Sequence, residues 1–273
     1  MSAWRQRLKW LVYAALAANF LVYLYQDVEY APYVLDADSS IREVLVAYAT
    51  SIDLVAWFTL ILLFEVETTV RAGRPWEGAA KWAVKGVRVL CYATVLHTTF
   101  ANVMALEEFR HPAPLPPAAD VCAYAGEWTL LRNRDYLEID AGNCRTLGRG
   151  HEFFALSDDK VLTDREGLAE GTLLAWTDIA ESVAWLLIVV LTEVAVRRLR
   201  ISRGLRPRPA HLLRAKMLLY AAILAISLFW GSKGQILYLW DELVWILGFL
   251  VIDWNLRDWQ RFRRAFSVSP TAA

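Results

Sequence analysis

Three of the 13 tryptophans carry acidic residues at the same two offsets. Asp53 stands one helical turn before Trp57, and Glu65 follows two turns later. Glu181, Trp185 and Glu193 repeat that spacing, and so do Asp241, Trp245 and Asp253. The shared form is [DE]-x-x-[AV]-W-x7-[DE]. With acids at 29 of 273 positions, chance places both around any Trp in roughly 0.15 cases. All three copies lie in apolar runs, where an ionisable side chain is expensive and faces a bundle interior or a water-filled cavity. Asp53 sits about nine residues inside its run, roughly 13 Å of helix rise. If Asp53, Glu181 and Asp241 share one layer, their mutual repulsion favours a bound cation or proton there. Asp178 and Glu242 add to that acidity. Trp57, Trp185 and Trp245, one turn inward, then form either a hydrophobic constriction or a packing layer. The structural alternative for the acids is a hydrogen bond from Asn19, Thr98, Thr99, Asn102, Ser227 or His97.

A second pattern, [KR]-x-L-x-Y-A, begins at Lys9, Arg88 and Lys216 and places Tyr13, Tyr92 and Tyr220 one turn on. An antiparallel hairpin would set each cation against one of the inner acids. The expected ion pairs are Lys9 with Glu65, Arg88 with Glu193 and Lys216 with Asp253. Such pairs either lock each hairpin or form a cytoplasmic gate. Glu193 with Arg197 and Asp253 with Arg257 are competing pairs one turn apart, but Glu65 has Thr69 at that position.

Other chemistry is absent from the sequence. There is no H-E-x-x-H, no G-x-S-x-G, no phosphate-binding loop and no Gly-rich dinucleotide turn. The four histidines, at 97, 111, 151 and 211, lack metal-ligand spacing. We therefore expect no catalytic residues, no metal, no cofactor and no enzyme activity.

Six apolar runs must position these groups: 8–26, 44–64, 89–106, 173–196, 212–230 and 236–252. Each is long enough for a helix to cross about 30 Å of hydrocarbon. Run 8–26 has the basic start of a signal peptide, but its apolar residues continue past the small-residue stretch, so it reads as a retained helix. Lys and Arg total 29, of which 20 fall before run one or at its start, between runs two and three, between four and five or just inside five, and after six. That excess places both termini in the cytoplasm. The intervening connections carry 18 acids. Trp76 and Trp82 suit the interface. The arginines at 197–208 sit in a polar loop, where they fix topology and contact anionic lipid heads.

The two patterns alternate between odd and even runs. The chain thus reads as an all-α integral membrane protein with six transmembrane helices. These form three parallel helical-hairpin repeats around a pseudo-threefold axis along the membrane normal. Residues 1–106 hold helices one to three, 172–256 hold helices four to six, and 257–273 form a basic cytoplasmic tail.

Residues 107–171 form an exoplasmic insert. Its proline-rich run at 111–117 suits a stiff polyproline-like exit. Alternating segments at 127–131, 136–139 and 153–156 suggest a small β-containing cap. Turn signals fall at Asn133, Gly142-Asn143 and Ser157-Asp158-Asp159. Cys122 and Cys144 both lie here, in an oxidising compartment, and are expected to form a disulfide that staples a cap with little core. Cys91 lies in an apolar run and reads as a packing residue.

The composition agrees. Hydrophobic residues are 57% and the formal net charge is zero, which excludes a disordered chain and a dominant nucleic-acid binder. The expected surroundings are a lipid bilayer, a bacterial inner membrane in particular. Two functions fit: a transporter or channel for a small cation or proton, or a non-transport scaffold or sensory subunit whose insert contacts an exoplasmic partner protein.

Overall fold

The computed structural model describes residues 3–35, 38–72, 74–115, 121–147, 152–156, 160–201 and 210–267. The elements run α1 (Ala3–Val34), α2 (Ile41–Ala47), α3 (Ala49–Thr68) and α4 (Gly78–Arg110). There follow β1 (Ala113–Pro114), a 3-10 turn (Val121–Tyr124), β2 (Thr129–Arg132), β3 (Asp135–Glu138), α5 (Cys144–Leu147), β4 (Phe153–Leu156) and β5 (Val161–Asp164). The chain ends in α6 (Arg165–Ile201), α7 (Ala210–Ser232) and α8 (Ile236–Ser267).

Among the described residues, five helices are long and apolar enough to cross a membrane, the arrangement of a multi-pass membrane protein. They are α1 over Ala3–Glu29, α3, α4, α6 over Arg165–Arg198 and α7 over His211–Ser232. The sixth expected span is a helix of 32 residues, α8. It is not one of the five, because Asp241, Glu242 and Asp253 interrupt its apolar stretch.

The helix boundaries differ from the apolar runs for physical reasons. The second run, expected from 44, is broken at Tyr48, whose backbone is non-helical. Ser40 and Glu43 form a capping box that starts the separate helix α2, so α3 begins at Ala49. Helix α6 runs to Ile201, which puts Arg197, Arg198 and Arg200 on the helix rather than in a polar loop. Arg203, Arg206 and Arg208 lie outside the described residues. The expected tail from 257 is likewise helical as far as Ser267, and 268–273 are outside the described residues.

The chain divides into two compact units. The first comprises 1–98 and 184–273, the second 99–183, so the division falls within α4 and α6. The core of the first unit is made by Leu16 of α1, Leu60, Ile61 and Phe64 of α3, Ile188 of α6, Ile223 of α7 and Phe249 and Ile252 of α8, all fully buried. Gly248 permits a close approach of α1, α3 and α8. A Cβ at that position would stand 2.9 Å from Ile61 Cδ1 and 3.1 Å from Leu16 Cδ1.

The second unit holds a sheet in the order β1-β4-β5-β2-β3. Strands β2 and β3 form a hairpin through Asn133 and Arg134, both with positive φ (48° and 68°), the signature of a type I′ turn. Strand β2 pairs with β5 in parallel. The expected strands at 127–131, 136–139 and 153–156 correspond to β2, β3 and β4, within two residues at each end. Strands β1 and β5 lack an alternating pattern and were not expected. Ala113 and Pro114 pair with β4 at the sheet edge, where a missing N–H is tolerated. The proline run is therefore partly an edge strand rather than a free polyproline exit. Pro116 and Pro117 lie outside the described residues, as do Ser157, Asp158 and Asp159. At the Gly142-Asn143 turn, the Asp140 carboxylate accepts both backbone N–H groups at 2.7 Å.

Val121, Leu130, Ile139, Cys144, Phe153 and Leu162 make a small core for this sheet. Asp164 ends β5 and caps α6 by accepting the Gly167 N–H at 2.8 Å, while Arg132 pairs with its other oxygen. Cys122 and Cys144 are joined by a disulfide with Cα atoms 4.9 Å apart, and Cys91 is free and buried.

The disulfide spans 22 residues, for which the chain-entropy relation gives about 3 kcal/mol. Cys122→Ser/Cys144→Ser should therefore expose 121–164 to limited proteolysis at concentrations that leave the oxidised protein intact. Equal resistance of the two forms would contradict a stapled core.

Candidate functional site

The site is built on the first unit, where the repeated residues of α3, α6 and α8 converge. The indoles of Trp57, Trp185 and Trp245 lie in one cluster. Trp57 is 5.9 Å from Trp185 and 6.1 Å from Trp245, centroid to centroid. Phe249 closes the group at 6.3 Å from Trp57 and 5.5 Å from Trp185. Trp185, Trp245 and Phe249 are buried and Trp57 is half-buried. Tilted and edge-on aromatic pairs add roughly 0.5–1.5 kcal/mol each beyond their area burial. The rings fill the middle of the helical unit.

A buried indole N–H needs an acceptor, and the acid one turn earlier supplies it. Trp57 Nε1 donates to Asp53 Oδ2 at 3.0 Å, and Trp245 Nε1 to Asp241 Oδ1 at 3.0 Å. The acid-to-Trp spacing thus encodes a hydrogen bond within one helix. The middle copy differs, for Trp185 Nε1 donates instead to Glu242 Oε2 on α8, at 2.7 Å. Odd helices supply further donors. Thr98 Oγ1 donates to Asp53 at 2.7 Å, and Asn19 Nδ2 donates to Asp241. Asn19 is 1% exposed, and its Oδ1 has no hydrogen-bond partner among the described residues. Ser227 donates to its own helix, at Ile223 O.

Glu181 belongs to the second unit, apart from Asp53 and Asp241 in the division of the chain. One turn before it on α6, Asp178 pairs with Arg134 from the β2–β3 turn. Asn102 Nδ2 lies 3.5 Å from the Asp178 carbonyl. The cap therefore engages α6 through an arginine that the sequence did not mark.

The other charged layer joins the three cations to the three inner acids. Lys9 pairs with Glu65, which also accepts from Tyr13 Oη at 2.5 Å. Arg88 Nη1 lies 2.9 Å from Glu193 Oε1, and Tyr92 Oη donates to the same carboxylate at 3.0 Å. Lys216 Nζ lies 2.9 Å from Asp253 Oδ2, and Tyr220 Oη donates there at 3.2 Å. The cation and the tyrosine of each [KR]-x-L-x-Y-A motif thus meet one acid. The competing pair Arg197 to Glu193 also forms, at 2.7 Å, from an exposed guanidinium.

Residues outside the two patterns link these clusters. Glu67, 1% exposed, accepts from Arg88 Nη2 at 2.8 Å and from Trp76 Nε1 at 2.9 Å. Thr192 Oγ1 accepts from Lys216 at 2.7 Å, and Asn255 Nδ2 donates to Glu65 at 2.7 Å. Glu67 joins α3 to α4, Thr192 joins α6 to α7, and Asn255 joins α8 to α3. Glu67 was detectable as a second acid at the same end of an apolar helix, but Thr192 carries no such signal. Among the described residues no group of three or more His, Cys, Asp or Glu is arranged to hold a metal ion.

Removing one partner of a buried pair leaves an uncompensated charge and costs roughly 3–5 kcal/mol. Arg88→Met should lower unfolding stability in micelles by about that much, since it removes the cation from buried Glu67 and leaves Glu193 with the exposed Arg197. Adding Glu67→Gln and Glu193→Gln should recover most of the loss. A single variant as stable as the native protein would show that the network does not hold the helices. Compared with protein-family models, curated proteins and solved structures, the chain finds no match, so its function is argued from this geometry alone.

Proposed function

We propose that the chain is a six-helix membrane scaffold rather than a conduit. In this reading α8 is the sixth span, its acids neutralised by neighbours. The three hairpins are repeats around a pseudo-threefold axis, each closed by its own cation–acid–tyrosine cluster. Both termini lie in the cytoplasm of a bacterial inner membrane. Residues 107–171 are exoplasmic, stapled by Cys122–Cys144, and their task is to contact a partner protein. The protein is neither an enzyme nor a nucleic-acid binder.

One observation carries the reading. Trp57, Trp185, Trp245 and Phe249 fill the centre of the helical unit, and acids beside them accept indole N–H groups. Donors that satisfy a carboxylate within the protein do structural work that an ion-binding layer would leave open.

A second reading, passage of a proton or small cation, draws on Asn19. Its buried Oδ1 without a partner, on the side chain that holds Asp241, leaves an acceptor for a water or a cation. The tryptophan cluster would then act as a gate, with Asp53 and Asp241 along the path.

Proteoliposome flux separates the two. The scaffold predicts proton, Na+ and K+ fluxes equal to those of protein-free vesicles, for the native chain and for Asp241→Asn alike. Asp53→Leu, which leaves the Trp57 indole N–H without its acceptor, should lose roughly 1–3 kcal/mol of stability. A native flux abolished by Asp241→Asn in a folded protein would establish the transport reading instead.

A further inference from the structure

At the end of the first unit that carries Lys9, Arg88 and Lys216, each of those cations meets a carboxylate. Two lysines one and two turns before Arg88 behave differently. Lys81 and Lys85 are exposed and have no carboxylate partner among the described residues. They stand one helical turn apart in the opening turns of α4, with Trp82 between them. Lys81 Nζ lies 5.8 Å and Lys85 Nζ 5.2 Å from the Trp82 ring centroid. Trp82 itself is 65% exposed.

The surroundings combine positive charge with apolar surface. Arg71 stacks at 4.4 Å on Trp76, whose N–H is fixed by Glu67, and Arg74 is exposed. Glu77 is the single acid between 69 and 87. Ala79, Ala80, Ala83 and Val87 are exposed on the same helix start, as is Val70 in the preceding turn. Water alone is a poor medium for this mixture, and the boundary of a bilayer suits it. Tryptophan prefers the headgroup level, and basic clusters beside a span attract anionic lipid.

We propose that Lys81, Trp82 and Lys85 form a binding site for the phosphate headgroup of an anionic phospholipid. The two ammonium groups meet the phosphodiester, and the indole lies against the glycerol region. Charge complementarity selects this occupant: two unneutralised cations flank one amphipathic ring at the end of a span. The inference takes from the scaffold reading only that α4 spans the membrane, and it holds whether or not the protein conducts ions.

Native mass spectrometry of the full chain in detergent tests it, with phosphatidylglycerol and phosphatidylcholine as competing probes. The native protein should retain phosphatidylglycerol preferentially. Lys81→Gln/Lys85→Gln should reduce that preference roughly thirtyfold, whereas Lys81→Arg/Lys85→Arg should keep it. An unchanged preference in the glutamine variant overturns the proposal. So that nothing depends on a variant folding, a photoactivatable phosphatidylglycerol is also applied to the native protein. Crosslinks should map to 78–87; crosslinks confined to other segments overturn the site. Because both measurements are made without a gradient, a flux result that removes the scaffold reading leaves this outcome separately readable.

Discussion

A carboxylate carried into an apolar helix has to be met by a donor, and most of the helical unit follows from that requirement. Glu65, Glu67, Glu193 and Asp253 lie in or beside long apolar stretches of their helices. Desolvating such charges costs several kcal/mol per ion unless partners surround them. Lysine, arginine, tyrosine and asparagine side chains from neighbouring helices provide those partners. Each bond ties one helix to another, so satisfying the charges also fixes which helices lie side by side. The apolar core of Leu60, Ile61, Phe64, Ile188 and Ile252 supplies bulk without direction. The polar contacts give it a register.

The tryptophans follow the same logic. An indole N–H in a packed interior needs an acceptor, and a carboxylate one turn earlier is the nearest available. Asp53 and Asp241 serve Trp57 and Trp245 in this way. The rings then pack against one another and against Phe249. Trp185 breaks the pattern because Glu242, an extra acid on α8, takes its N–H. The three copies therefore share a spacing without sharing every bond. An acid whose two oxygens already hold an indole and a threonine, as Asp53 does, is poorly placed to trade ligands.

Much of this was legible in the sequence, and the reasons it stopped are physical. Long apolar runs mark helices well, so five spans and the course of α8 follow from composition. The pairing of Lys9, Arg88 and Lys216 with Glu65, Glu193 and Asp253 follows from charge at matching ends of adjacent helices. Glu67 and Asn255 reach across to a different hairpin, and no spacing within one strand of sequence states that. The break at Tyr48 needed the Ser40–Glu43 capping box to be weighed above the apolar run it interrupts. Strand β1 holds a proline, and β5 is the central strand of the sheet, leading directly into α6. β1 owes its pairing to β4 and β5 part of its pairing to β2, both distant in sequence, while β4 pairs with β5 from just before it. The role of the acid-to-Trp spacing was the sharpest difference. The spacing alone allows an ion-binding layer above a constriction or a packing layer, and in two of the three copies the acid accepts its own tryptophan's N–H.

A packed tryptophan cluster whose N–H groups are held by neighbouring acids keeps water out. Solid-state NMR of the native protein in bilayers, with indole nitrogens labelled, measures this directly through exchange with D2O. The indole protons of Trp57, Trp185 and Trp245 should persist long after those of exposed Trp4, Trp10 and Trp82 have exchanged. Exchange of all six at the same fast rate would place water in the middle of the helical unit and contradict the account.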